Sequence, residues 1–284
     1  MRVATVDGLV TLFYDGSRPL WNEELHEEFW LLNHRDHHPR NEDEWEKLTI
    51  SDECKNYWKE RLSWQQIIIE EGVREIPGFA FCHCQNIQRV IFADTVIRIE
   101  SLAFSCCSSL TYIKWSINLE EIGHCAFSSC DLSSVFIPPR CREIREFAFA
   151  CNRKLEILNV PPNVELLEPS GIISNTAINR KFSYRHREPR DLDLAINEWL
   201  KNINNGDEFA LHRVCCSFEP TLEMILDTMK EKGGPKAFKV ENSIGITPSR
   251  YLKENPYANV SEKEVIEKYI LQMMGELQSD QEVL

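Results

Sequence analysis

Residues 98–115, RIESLAFSCCSSLTYIKW, decide the fold, because the order of apolar and small residues in this stretch recurs on both sides of it. VREIPGFAFCHCQNIQRVIF starts at Val73, LEEIGHCAFSSCDLSSVFI at Leu119 and CREIREFAFACNRKLEILNV at Cys141. The Ala-Phe pair places Phe81, Phe104, Phe127 and Phe149 at spacings of 23, 23 and 22, and Ile76, Ile99, Ile122 and Ile144 keep the same spacings. Ile87, Leu110, Leu132 and Leu155 follow at 23, 22 and 23. Behind them come the alternating pairs Val90/Phe92, Ile113/Trp115, Val135/Ile137 and Leu158/Val160. Another column holds Val73, Val96, Leu119, Cys141 and Val164. A unit this short cannot bury its apolar face alone, so such columns predict a solenoid in which stacked units share one core.

The columns resemble the BspA-like subclass of leucine-rich repeats, whose units read approximately I-x-x-x-A-F-x-x-C-x-x-L-x-x-Φ-x-Φ, with Φ apolar. The resemblance spans Trp64 to Ile173. It implies an α/β repeat fold, a short solenoid with one strand row lining a face. It also implies a role in protein recognition, or in adhesion at a surface.

The adjacent cysteines Cys106 and Cys107 are then wall-filling. Cys84, Cys107 and Cys130 sit three residues after their phenylalanines, whereas Cys106 and Cys151 sit two after. A free thiol is small, apolar and frequently buried, which suits a turn that faces the core. The structural core is therefore expected to contain Phe81, Phe104, Phe127, Phe149, Cys84, Cys107, Cys130 and Cys151. The competing reading is a metal or redox site along the ladder. Zinc ligands normally come at close spacings such as C-x2-C, not on successive rungs, and neighbouring residues lie too close for ordinary disulfide geometry. No metal or other cofactor is expected.

The rest of the chain divides around the repeats. Residues 1–63 predict a capping region: a hairpin RVATV-DG-LVTLFY with an Asp-Gly turn, a helix near LWNEELHEEFWLLN, and a second helix in SDECKNYWKERLSW capped by Ser51. The repeats are expected over 64–178, and the polar stretch 179–193 reads as a linker. Residues 194–284 read as helical. In that region Phe209-Ala210-Leu211-His212 and Thr247-Pro248 resemble two degenerate ankyrin turns 38 residues apart. A final apolar stripe runs from Val265 to Leu277 behind a Ser261/Glu264 capping box.

Composition removes several functions. The chain has 284 residues and a net charge of −13, from 32 Lys+Arg against 45 Asp+Glu, and the acidity is spread along its length. No stretch is basic enough to track phosphates, so nucleic acid is not an expected partner. No run of about 18 apolar residues is present, so no membrane span is expected. The first residues lack the apolar core of a secretory signal, and eleven cysteines cannot all pair within one chain. A cytoplasmic or nuclear monomer with free thiols is the expectation. HRDHHPRN, from His34 to Asn41, matches a kinase catalytic loop, but the companion phosphate loop and metal-binding motifs are missing. The histidines there read as a solvated loop, and catalysis is not expected.

The candidate site follows from strand parity. Residues alternating with the core positions point outward: Arg89 and Ile91, Tyr112 and Lys114, Ser134 and Phe136, Ile157 and Asn159. Several are apolar or aromatic where a solvated sheet would carry polar groups. This row is expected to bind a protein partner. The alternative is that the terminal segments of the chain cover it.

Overall fold

The computed structural model describes residues 2–16, 22–27, 44, 46–47, 51–161, 164–166, 169–183, 194–196, 210–216, 220–232, 234–241, 246–259, 263–266 and 268–269. The kinase-like loop and most of the final apolar stripe lie outside these residues. The chain packs as two compact units, Met1–Asp131 with Phe147–Cys151, and Leu132–Glu146 with Asn152–Leu284. The division falls inside the repeat array, away from the expected boundaries at 63/64 and 178/179.

In the first unit β1 (Arg2–Val6) and β2 (Leu9–Tyr14) form an antiparallel hairpin. Asp7 and Gly8 at its turn both have positive φ, 51° and 78°, as a type I′ turn requires. β2 then pairs parallel with β3 (Gln66–Ile69), Leu12 opposite Ile67 and Tyr14 opposite Ile69. The hairpin therefore extends the strand row of the repeats. β5 (Arg89–Ile91) and β7 (Tyr112–Lys114) continue that row in parallel register. A second row, not foreseen as strand, is formed by β4 (Glu75–Ile76), β6 (Arg98–Ile99) and β8 (Glu121–Ile122). α1 (Asp52–Ser63) begins where Ser51 Oγ accepts from Cys54 N at 3.1 Å, and it buries Cys54, Trp58 and Arg61.

Between the two rows each turn carries two non-glycine residues in the left-handed region. Phe79, Leu102, Cys125 and Phe147 have φ of 60°, 60°, 54° and 57°, and His83, Cys106, Ser129 and Cys151 have 60°, 61°, 58° and 61°. Such a conformation costs an L-residue about 1–2 kcal/mol. The N–H groups it aims at the next turn offset that cost: Leu102 N donates to His124 O, His83 N to Ser105 O and Cys106 N to Ser128 O, each at 2.8 Å.

Inside these corners the Ala-Phe rings stack, Phe81 on Phe104 at 4.9 Å, Phe104 on Phe127 at 5.2 Å and Phe127 on Phe149 at 5.9 Å between centroids. Phe92 and Trp115 form a second stack at 6.0 Å and meet the first edge-on, at 5.8 Å and 5.2 Å from Phe104 and Phe127. One apolar ladder thus ties successive turns together.

The second unit contains the paired strands β9 (Ser134–Phe136) and β11 (Ile157–Asn159), and β10 (Glu143–Ile144) with β12 (Glu165–Leu166). α2 (Pro169–Ile172) and α3 (Ala177–Ser183) follow. Residues 179–183 are therefore helical, where a linker was expected. Thr176 Oγ1 accepts from Asn179 N at 3.0 Å, Ile178 is fully buried, and this local capping outweighs the polar composition.

Further along this unit lie α4 (Ala210–Cys216), α5 (Leu222–Glu231), the 3-10 segment Gly234–Lys239 and α6 (Pro248–Glu254). Thr221 and Thr247 cap α5 and α6 through their side chains, and Pro248 occupies the first helical turn, where its missing N–H is harmless. α4 and α6 begin at the two places read as ankyrin-like turns. The buried His212 ring lies 3.1 Å from Ile246 O, and Asn255 Nδ2 donates to Cys215 O at 3.0 Å, which pins α4 to the start and end of α6.

Candidate interaction face

The first unit assembles the proposed row from three repeats and the hairpin. Arg89 pairs with Tyr112 and Ile91 with Lys114 across β5 and β7. The register continues through β3 and β2, so Ile91 lies beside Ile68 and Ile68 beside Phe13. Arg2 caps this end, its guanidinium 3.6 Å from the centre of the Phe13 ring. Phe13 and Ile68 belong to the same outward row as the expected residues. The alternation of Gln66-Ile67-Ile68-Ile69 already carried that signal, since Ile67 and Ile69 are the core positions.

Tyr112 is 40% exposed, Lys114 is exposed, and Arg89, Ile91, Ile68 and Phe13 are half-buried. The Arg89 guanidinium lies over the Tyr112 ring at 5.1 Å, a cation–π contact that couples the two side chains. Among the described residues no carboxylate pairs with Arg89 or Lys114. The face presents apolar and aromatic surface between two cations that no described carboxylate pairs, in a chain of net charge −13.

The corresponding positions in the second unit are covered. Phe136 and Ile157 are only 2% and 0% exposed, which corrects the expectation of one open row through Ser134, Phe136, Ile157 and Asn159. α6 and the turn after it supply the cover. Ser134 Oγ donates to Glu254 at 3.1 Å, Arg250 pairs with Glu156, and Tyr257 donates its hydroxyl to Phe136 O at 3.1 Å. Glu156, Arg250, Glu254 and Tyr257 had no signal in the sequence, because their partners lie about a hundred residues apart. Ser134 and Asn159 are half-buried.

The cysteines occupy two distinct columns. Cys84, Cys107 and Cys130 are buried. Cys107 Sγ donates to Phe81 O at 3.1 Å and Cys130 Sγ to Phe104 O at 3.3 Å, one turn back along the ladder. Burial pushes all three thiols up, the neighbouring thiols adding to the effect at Cys107. They therefore remain protonated and unreactive. Cys151, two residues after its phenylalanine like Cys106, was expected in the core, but it is partly exposed and stands with Cys106 at the left-handed corner. The buried place three residues after Phe149 belongs to Asn152, whose Oδ1 accepts from Leu132 N at 3.1 Å. Among the described residues no group of three or more His, Cys, Asp or Glu is arranged to hold a metal ion.

A cationic group is also buried where α1 meets the first turn. Arg61 is 1% exposed, donates to Cys82 O at 3.0 Å and lies 5.2–5.9 Å from the rings of Tyr57, Trp58 and Trp64. His26 packs 5.6 Å from both Trp58 and His83. Burial, then the charges of His83 and Arg61, lower its pKa to about 4. Burial pushes Cys82 up to about 12.

Parallel strand rows, stacked Ala-Phe corners and one period define a leucine-rich-repeat solenoid of about four turns. Residues 52–179 match the model of the BspA type leucine rich repeat region in six copies, and this part of the chain is a repeat region of that family. Three solved structures align with it. A leucine-rich repeat protein from Bacteroides ovatus is 33% identical over 36% of this chain and 28% of its own, with a TM-score of 0.34. The T. pallidum leucine-rich repeat protein is 27% identical over 36% and 50%, with a TM-score of 0.35. A leucine rich cell surface protein from Faecalibacterium prausnitzii is 30% identical over 40% and 30%, with a TM-score of 0.38. The chain thus spans between 28% and 50% of the length of these relatives. No curated protein matches it. Among the described residues no helix is long and apolar enough to cross a membrane.

Proposed function

We propose that the chain is a non-catalytic protein-interaction scaffold whose working surface is the outward face of β5 and β7. The observation that carries this reading is the array Arg89, Ile91, Tyr112 and Lys114, half-exposed apolar and aromatic surface between two cations that pair with no carboxylate among the described residues. Aromatic and arginine side chains at the centre of a surface patch are the groups that most often dominate binding. The buried thiols, held protonated, supply neither a nucleophile nor a metal ligand.

The test is an affinity capture with wild-type protein and a folded Tyr112→Ser, Lys114→Glu variant. Partners that bind the wild type and disappear with the variant support the strand face. The same partners on both proteins would place the function elsewhere in the chain.

A second reading, adhesion at a cell surface, follows from the BspA-type repeats and uses the same face. It is favoured if the captured ligand is an extracellular or matrix protein, and the scaffold reading if the ligand is intracellular.

A further inference from the structure

We infer that the β5–β7 face takes an acidic amphipathic helix, two of whose carboxylates, one helical turn apart, pair with Arg89 and Lys114. This rests on the reading of that face as the working surface and names the class of partner it fits. The four side chains form a two-by-two array: Arg89 beside Tyr112, Ile91 beside Lys114. With strands about 4.8 Å apart and alternate residues about 6.7 Å apart along a strand, the backbone positions of the two cationic residues stand on one diagonal, about 8 Å apart. The other diagonal holds the apolar pair, Ile91 and Tyr112. Helical residues four apart lie about 5–6 Å from each other on one face, and glutamate arms span the remainder. Apolar residues on the same helix face then meet Ile91 and Tyr112.

The second unit shows how this fold accepts such a helix. By the repeat spacing Ser134 is the counterpart of Arg89, and Phe136 that of Ile91. There α6 supplies the occupant. Its Arg250 and Glu254, one turn apart, reach Glu156 and Ser134, and Tyr257 closes on the carbonyl of Phe136. Just ahead of β11 that unit offers an acid, Glu156, and the helix answers with an arginine. The host strands of the first unit offer cations, so the complementary helix carries acids.

The experiment uses the full chain and three labelled synthetic 16-residue peptides built on alanine and glutamine, with one leucine-phenylalanine face. They differ at two positions four apart, which are both glutamate, both glutamine or both lysine. Fluorescence anisotropy at low and high salt should show the glutamate peptide binding at least tenfold tighter than the glutamine peptide, with the gap closing as salt rises. In an Arg89→Glu, Lys114→Glu variant the preference should turn to the lysine peptide. If that variant fails to fold, Lys114→Gln, at an exposed position, should reduce the glutamate preference at least threefold.

Equal binding of glutamate and glutamine peptides, no binding of either, or a preference untouched by the substitutions overturns the inference. Partners lost in the capture experiment without any peptide preference here would leave the face as the working surface and remove only the acidic helix. A clear glutamate preference with captured partners unaffected would support the acidic-helix fit and overturn the scaffold reading.

Discussion

Arg250 of α6 holds the carboxylate of Glu156, 94 residues earlier in the chain and just ahead of β11. The hydrogen bond from Arg250 keeps the Glu156 carboxyl below its ordinary range. Its contribution to stability is therefore present above the ordinary carboxylate pKa and lost as pH falls through the lower folded value. Both side chains remain more than a third exposed, so solvent screening limits the pair to about 1 kcal/mol. Arg250→Glu sets two acids against each other and should cost roughly 1–2 kcal/mol. Amide exchange of β9 and β11 should then rise as Phe136 and Ile157 lose their cover, with β5 and β7 unchanged. Unchanged exchange in β9 and β11 would mean that α6 does not shield them.

Gly123 stands where the other repeats carry Pro77, Glu100 and Arg145, yet a side chain is not tolerated there. A Cβ at Gly123 would lie 2.6 Å from Glu100 C and from Ser101 N, both backbone atoms of the preceding turn. Gly123 N also donates to Ile99 O at 2.8 Å. Relief requires two turns to separate and loosens that bond, so Gly123→Ala should destabilise by about 1–3 kcal/mol. Chemical denaturation compared with Gly72→Ala, at an exposed turn with nothing within 4 Å of its Cβ, separates the clash from the strain of positive φ. Equal losses at the two sites would remove the clash as the cause.

The repeat array was legible because its signals are local and periodic. Phe81, Phe104, Phe127 and Phe149 announced the ladder, and strand parity assigned Val90 and Ile113 inward and Arg89 and Tyr112 outward. What parity cannot show is what lies above an outward residue. Phe136 and Tyr112 carry the same pattern, and the return of α6 and Tyr257 onto the second-unit strands separates a covered position from an open one. The short second strands were hidden for a different reason, since two residues such as Glu75-Ile76 hold no alternation to read. Cys151 was placed in the core because the count from phenylalanine, which sets it with Cys106, does not reveal that this offset takes the left-handed corner, and Asn152 one residue on is the buried side chain.

The corner and core cysteines should separate under alkylation. Cys106, Cys125 and Cys151 are partly exposed, whereas Cys84, Cys107 and Cys130 are buried in the ladder. The thiolate is the reacting species, and burial holds Cys107 and Cys130 well above the ordinary thiol range. Native protein at pH 8 should label the first group within minutes. The second should react at least about a hundredfold more slowly, because the turns must open first and core opening approaches the global free energy. Peptide mapping by mass spectrometry reads the sites. Early labelling of Cys107 would show that the ladder opens under native conditions.

The pH dependence of the first unit should be governed by His26 where most carboxylates are already ionised. The ring packs between Trp58 and His83, with Arg61 close by, and its pKa falls from 6.5 to about 4. The unfolded chain therefore binds a proton at this ring between pH 6.5 and about 4, and the folded chain does not. Stability must fall as pH drops through that window. His212 is lowered by burial as well, and it acts in the same direction from the second unit. Wild type therefore needs comparison with His26→Phe, which keeps an aromatic ring and removes the titration. Melting temperatures at pH 7 and pH 5 should differ more in wild type than in the variant, with the largest difference in probes near α1. Identical pH slopes for the two proteins would show that His26 accepts its proton in place, against the positive charge of Arg61.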